Sequence, residues 1–163
     1  MIAESLELHG PPSREELIEW LATPLIPEAL AERLAHGILL AVEGDFDAAA
    51  NLVLPRIEAV LRQVAQAAGI AVITQQRNDR PGGALTLGEL LRRLKGVLDE
   101  DLRSYFVNAL CDTLGLNLRN RALHGLWGGA GPVEVVVLLN IISLLAGLEI
   151  TPPPSQQRGS SRR

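Results

Sequence analysis

The chain has 163 residues, of which 47% are apolar, 21% charged and only 3% aromatic, with a formal charge of −4. That length fits one domain with a real core of Leu, Val, Ile and Ala, a mixture that favours helices. The acidic balance argues against strong non-specific nucleic-acid binding, which needs many lysines and arginines, and leaves room only for local contact; the single cysteine, Cys111, excludes an intramolecular disulfide or a cysteine metal cluster.

Residues 1–27 read as a lead-in. Its first stretch, MIAESLELHG, carries acids and no apolar run and is not expected to act as a signal peptide. Ser13 and Glu16 have capping-box spacing, so a short helix is expected from there to about Ala22, stopped by Pro24. The domain proper is expected over 28–150. Pro27 suits a first helical position, and Leu30, Leu34, Ile38 and Val42, with Ala31, Ala35 and Ala41, predict a helix over 28–43 ended by Gly44. Asp45 is the expected cap of a second helix over 46–68, with Ile57, Val60, Leu61 and Val64 on its buried face. The apolar period continues past Pro55, so Pro55 is expected to kink this helix rather than end it. Glu58 and Arg62 stand four residues apart, at ion-pair spacing.

IAVIT (70–74) reads as extended, and QQRNDRPGGA (75–84) as a loop. Thr86 and Glu89 make a second capping-box pair for a short helix through about Lys95. A helix over 99–113 follows, with acids in its first turn, where the helix dipole favours them. The stretch VVVLLNIISLLAGL (135–148) is interrupted by Asn140 and too short for a membrane span, which needs about 20 residues. It predicts a buried helix over 132–147 that also supplies part of a subunit contact. TPPPSQQRGSSRR (151–163) is expected to be disordered. The result is an all-α domain: a four-helix bundle with extra short helices.

Several chemistries lack their residues. There is no phosphate-loop sequence, no H-E-x-x-H and no G-x-S-x-G. His9, His36 and His124 have no ligand spacing, so no metal and no cofactor is expected. Cys111 reads as a small buried residue, His36 as a structural histidine, and Trp20 and Trp127 as packing anchors.

The distinctive segment is LNLRNRALHG (116–125), polar between two apolar helices. Asn117 can cap a two-turn helix and Gly125 can end it. Asn120 and His124 are four residues apart on one face, close enough for the amide to orient the imidazole. Arg119 lies about 140° around the helix from His124 and borders the same groove. Glu58 is the long-range candidate for an acidic partner of His124. Spacing alone leaves two readings open: a catalytic constellation, or a solvated helix face with His124 as its C-terminal cap.

The sequence RNRALH, Arg119-Asn120-x-x-x-His124, resembles the R-N-x-x-x-H motif of the HEPN superfamily. Together with EGDFDAAANLVLPRIEAVLRQVAQAAGI and TLGELL upstream, it resembles a HEPN-related domain found at the C-terminal end of longer bacterial proteins of unknown function. The resemblance spans roughly residues 28–147. It implies a metal-independent endoribonuclease with a composite homodimer site and a toxin, stress or antiphage role. Arg119 would then contact the scissile phosphate, His124 would act as general acid/base and Asn120 would orient it, with Arg121 and Glu58 auxiliary. The implied partners are RNA, a second copy of the chain, and an antitoxin or larger defence protein, in the cytoplasm and without a membrane. Arg77, Arg80, Arg92, Arg93 and Lys95 would line an RNA path. The alternative is a non-catalytic HEPN-like module for dimerisation or nucleotide binding.

Overall fold

A computed structural model describes residues 10–74, 83–124 and 127–149. The expected disordered tail and Arg77, Arg80 and Gly125 lie outside the described residues. Seven helices and one two-residue strand pair occur among those described: α1 Arg14–Leu21, α2 Glu28–Val42, α3 Phe46–Ala67, β1 Ile73–Thr74, β2 Gly83–Ala84, α4 Leu87–Arg93, α5 Glu100–Leu110, α6 Leu118–Leu123 and α7 Pro132–Ala146. The fold is all-α.

Helix starts follow local chemistry. The Ser13 hydroxyl accepts from the Glu16 amide at 3.2 Å, and Glu16 accepts from the Ser13 amide at 2.7 Å, completing the capping box of α1. Asp45 accepts from the Ala48 amide at 3.1 Å and caps α3. Asp45→Ala should therefore cost about 1 kcal/mol, read as a lowered melting temperature with unchanged helix content. At α4 only half of the expected box forms. Thr86 accepts from the Glu89 amide at 3.3 Å, but the Glu89 carboxylate turns to Arg92 and Arg93. Two guanidiniums offer charge-assisted bonds that a neutral amide cannot match.

α3 is continuous through Pro55, and its buried line includes Val53, Ile57, Val60, Leu61 and Val64. It packs against α2, α4 and α7; α2 also approaches α7, while the backbone of α5 comes closest to α4 and α6. On α2 the buried positions are Ala31, Leu34, Ala35 and Gly37, while Val42 is exposed. Gly37 is there for space, because a Cβ would run into the Val53 side chain of α3. Leu17, Leu21, Leu25 and Ile26 are buried in the same core, so the helix of the lead-in is part of the packing. The expected extended stretch narrows to β1, which pairs antiparallel with β2, Ile73 opposite Ala84. Gly83 and Ala84, assigned to the loop by sequence, are therefore strand residues. His36 and Trp20 are exposed rather than packed.

α7 buries Val135, Leu138, Ile141, Ile142 and Leu145, yet Val133 and Val136 are exposed. An apolar helix with one side in water is a candidate contact surface. Among the described residues, no helix is long and apolar enough to cross a membrane.

Candidate functional site

The site is built on the short return from α5 into α6. α5 ends at Leu110, three residues before the expected Thr113, because the Val107 carbonyl accepts from the amides of both Cys111 and Asp112 at 2.9 Å. The chain then turns tightly: Gly115 donates to the Asp112 carbonyl at 3.0 Å and Leu116 to the Asn108 carbonyl at 3.1 Å. A Cβ on Gly115 would collide with that Asn108 carbonyl, so only glycine fits. Asn117 follows in the left-handed region at φ 50°, which asparagine tolerates better than most residues.

Asn117 starts α6 but does not cap it as expected. Its side-chain oxygen accepts from the Asn120 amide at 2.8 Å rather than from a helix backbone amide. Asn120 also donates to the Cys111 carbonyl at 3.4 Å and accepts from Arg119 at 3.2 Å. These bonds correct the expected role of Asn120. Its side chain fastens α6 to the end of α5 and does not reach His124. The physical reason is local competition: the left-handed turn at Asn117 brings a fixed acceptor to the amide. Only the Asn120 backbone carbonyl serves His124, accepting from its N–H at 3.0 Å.

Arg119 and His124 occupy different surroundings. His124 is exposed at the C-terminal cap of α6. Arg119 lies inward, its side chain 24% exposed, with Nε 3.6 Å from the Glu58 carboxylate of α3. That separation is ionic contact without a hydrogen bond, and Arg119 Nε is buried with no hydrogen-bond partner. Glu58 also accepts from Arg62, which donates in turn to the Leu85 carbonyl at 2.9 Å. The sequence nominated Glu58 as the acidic partner of His124; the structure brings it to Arg119 instead, because the Arg119 side chain lies inward towards α3 while His124 is exposed. One carboxylate thus serves two guanidiniums in a partly buried setting, leaving the cluster net positive.

Arg121 sits outside that cluster. Its guanidinium lies 5.9 Å from the centre of the Trp127 ring and 3.8 Å from Glu134. Glu134 also accepts from the Gly131 amide at 3.1 Å at the start of α7. Trp127 packs partly against the core, and its buried indole N–H has no hydrogen-bond partner. Of the suggested RNA path, Arg92 and Arg93 both engage Glu89, whose carboxyl is held down at about 2 chiefly by the Arg92 hydrogen bond and then by Arg93. Arg93 also donates to the Ala71 carbonyl at 3.2 Å. Lys95 is exposed.

Cys111 is half-buried at the C-terminal end of α5, in the field of Arg119 and Glu58. Burial pushes its thiol above the ordinary value, with Arg119 opposing and Glu58 adding to the shift. The nucleophile is the thiolate, and a raised folded value leaves less of it at neutral pH than an unfolded cysteine has. Iodoacetamide should therefore label native Cys111 more slowly at pH 7.5 than the urea-unfolded chain, with the gap closing as pH rises. Equal rates in both states would contradict the burial.

Among the described residues, no three of His, Cys, Asp and Glu gather as metal ligands would. No family model matches the chain, and neither a curated protein nor a solved structure matches it.

Proposed function

We propose that the protein is a metal-independent endoribonuclease of HEPN type that acts as a homodimer in the cytoplasm. The observation that carries this reading is the exposed imidazole of His124, at the C-terminal cap of the six-residue helix that holds Arg119 and Arg121. One copy has one such imidazole, and transesterification of RNA uses a base and an acid. In a symmetric pair, one His124 removes the proton of the ribose 2′-hydroxyl. Its oxygen bonds to the adjacent phosphorus, the bond to the 5′ oxygen breaks, and the other His124 protonates that leaving oxygen. The products are a 2′,3′-cyclic phosphate and a 5′-hydroxyl. The arginines stabilise charge on the phosphoryl oxygens. Exposed apolar side chains flank the segment, namely Leu114, Leu116 and Leu123, with Val133 and Val136 on α7, which supports a second copy as the partner. An antitoxin or larger defence protein would regulate the cleft, and Arg77, Arg80, Arg92, Arg93 and Lys95 would guide the RNA.

A second reading has its own observation. Arg119 is engaged by Glu58, and the Asn120 side chain is turned away from His124. That arrangement suits a HEPN-like module that dimerises or binds nucleotides without cutting. Total RNA incubated with the purified protein in EDTA separates the two. Cleavage lost in both His124→Ala and Arg119→Ala supports the enzyme. Binding without cleavage supports the module, and a strict monomer counts against both forms of the paired cleft.

A further inference from the structure

The solvent side of α7 differs from that of the other long helices. Val133, Val136, Asn140, Leu144 and Gly147 are exposed, with Ser143 beside them. These positions fall within an arc of about 100° at 100° per residue, opposite the buried Leu138, Ile142 and Leu145. No charge stands on this face. The one charged residue of α7, Glu134, turns to the Gly131 amide and to Arg121. By contrast α1, α2, α3 and α5 expose charged residues, among them Glu19, Glu32, Asp47 and Glu100. At the centre of the α7 stripe is Asn140, whose side-chain amide makes no hydrogen bond among the described residues. Ser143 is satisfied within the helix, its hydroxyl donating to the Leu139 carbonyl at 3.0 Å.

Val133, Val136, Asn140, Ser143 and Gly147 recur at alternating steps of three and four residues, the spacing at which two helices pack side by side along a left-handed seam. This seam suits a second copy of itself. It carries no charge to repel its twin, and each amide both donates and accepts, so two Asn140 side chains satisfy one another. An unrelated apolar helix would have to bring a polar group to the one point where Asn140 needs it. A lone asparagine at such a seam position fixes register and oligomeric state.

The orientation follows from where α6 ends. Ala122 of α6 and Trp127 share a cavity with Asp47 and Asn51 of α3. Asp47 accepts from the amide of Ala130, just before α7, at 3.0 Å, and Arg121 lies 3.8 Å from Glu134. The His124 end of α6 therefore stands at the N-terminal end of α7. Two α7 helices side by side and parallel bring both of these ends together. Antiparallel about Asn140, they hold the two starts of α7 about 24 Å apart along the pair, at 1.5 Å per residue. We infer that α7 is the seam of a parallel two-fold dimer, in which the Asn140 amides pair and both His124 side chains come to the same end. The inference rests on the homodimeric reading of the site and assigns the surface that makes the dimer.

Sedimentation equilibrium from micromolar to millimolar concentration should show monomer and dimer in exchange. Val136→Glu, at a position exposed in the monomer, should raise the dissociation constant by about a hundredfold or more, because like charges then face each other across the seam. Unchanged helix content by circular dichroism shows that the fold is kept, and Val133→Lys gives the same loss through a different residue. Asn140→Leu should associate at least as tightly and no longer stop at the dimer. In a Cys111→Ser background, Val136→Cys should form a covalent dimer under oxidised glutathione, since a parallel pair sets the two copies of that position across the seam. An antiparallel pair holds them about 12 Å apart, and there only a mixture of Val136→Cys and Leu144→Cys chains links. That second pattern, or a dimer indifferent to both valine changes, overturns the seam. So does a monomer at every concentration, which leaves α7 to a different partner. RNA cleavage is read on the same proteins. A dimer through α7 that cuts no RNA keeps the seam and removes the enzyme reading. Cleavage and dimerisation that both survive Val136→Glu keep the enzyme and overturn the seam.

Discussion

His124→Ala should lower RNA cleavage by about 10²- to 10⁴-fold, the usual worth of a positioned acid or base, and leave the melting temperature nearly unchanged. The imidazole is exposed, and the one bond the residue makes to α6 comes from its backbone N–H, which alanine keeps. Surface changes of this kind stay within about 0.5 kcal/mol. Asn120→Ala should behave in the opposite sense. Its side chain ties Asn117 and the Cys111 carbonyl to α6, so the variant should lose about 0.5–1.5 kcal/mol per bond removed, and cleavage should fall only as far as Arg119 is displaced. Cleavage rates and thermal melts on the same two variants give the comparison. An Asn120→Ala protein with unchanged stability and a cleavage defect equal to that of His124→Ala would return Asn120 to the role of orienting the imidazole.

Gly115→Ala should be the most disruptive single methyl group near the site. The added Cβ meets the backbone of Asn108, which cannot rotate away as a side chain can, so the turn itself has to move. Overpacking of this kind costs about 1–3 kcal/mol. The Leu116 amide also bonds that carbonyl, so the shift passes into Asn117 and the start of α6. Arg119 would be carried off Glu58, and cleavage should fall together with stability. Hydrogen exchange should show lost protection confined to the end of α5 and to α6. Uniform loss across α2, α3 and α7 would mean that the whole core depends on this turn, contrary to the local contact described. Gly37→Ala is the useful contrast, because its added methyl clashes only with a Val53 side chain of α3 and reaches the Ala49 carbonyl at ordinary contact distance.

Most of the helical framework is legible in the residues because it rests on local rules. The box at Ser13, the cap at Asp45, the stripe through Ile57, Val60 and Val64, and the acids opening α5 each depend on spacings of a few residues. The errors sit where another part of the chain, or a competing charge, decides. Glu89 has the spacing of a capping box, yet arginines three and four residues away take its carboxylate. His36 lies on a helix with a buried face, but at an exposed position.

The candidate site divides along the same line. The sequence by itself placed Arg119, Asn120, Arg121 and His124 on one short helix and marked Glu58 as an acid of interest, because composition and helical periodicity are local properties. It could not say that Asn120 serves the turn, that Glu58 meets Arg119 across 61 residues of chain, or that Asp47 and Asn51 share a cavity with Trp127. Those pairings exist only after the core has closed, since packing of α2, α3 and α7 sets where the far ends of the chain meet.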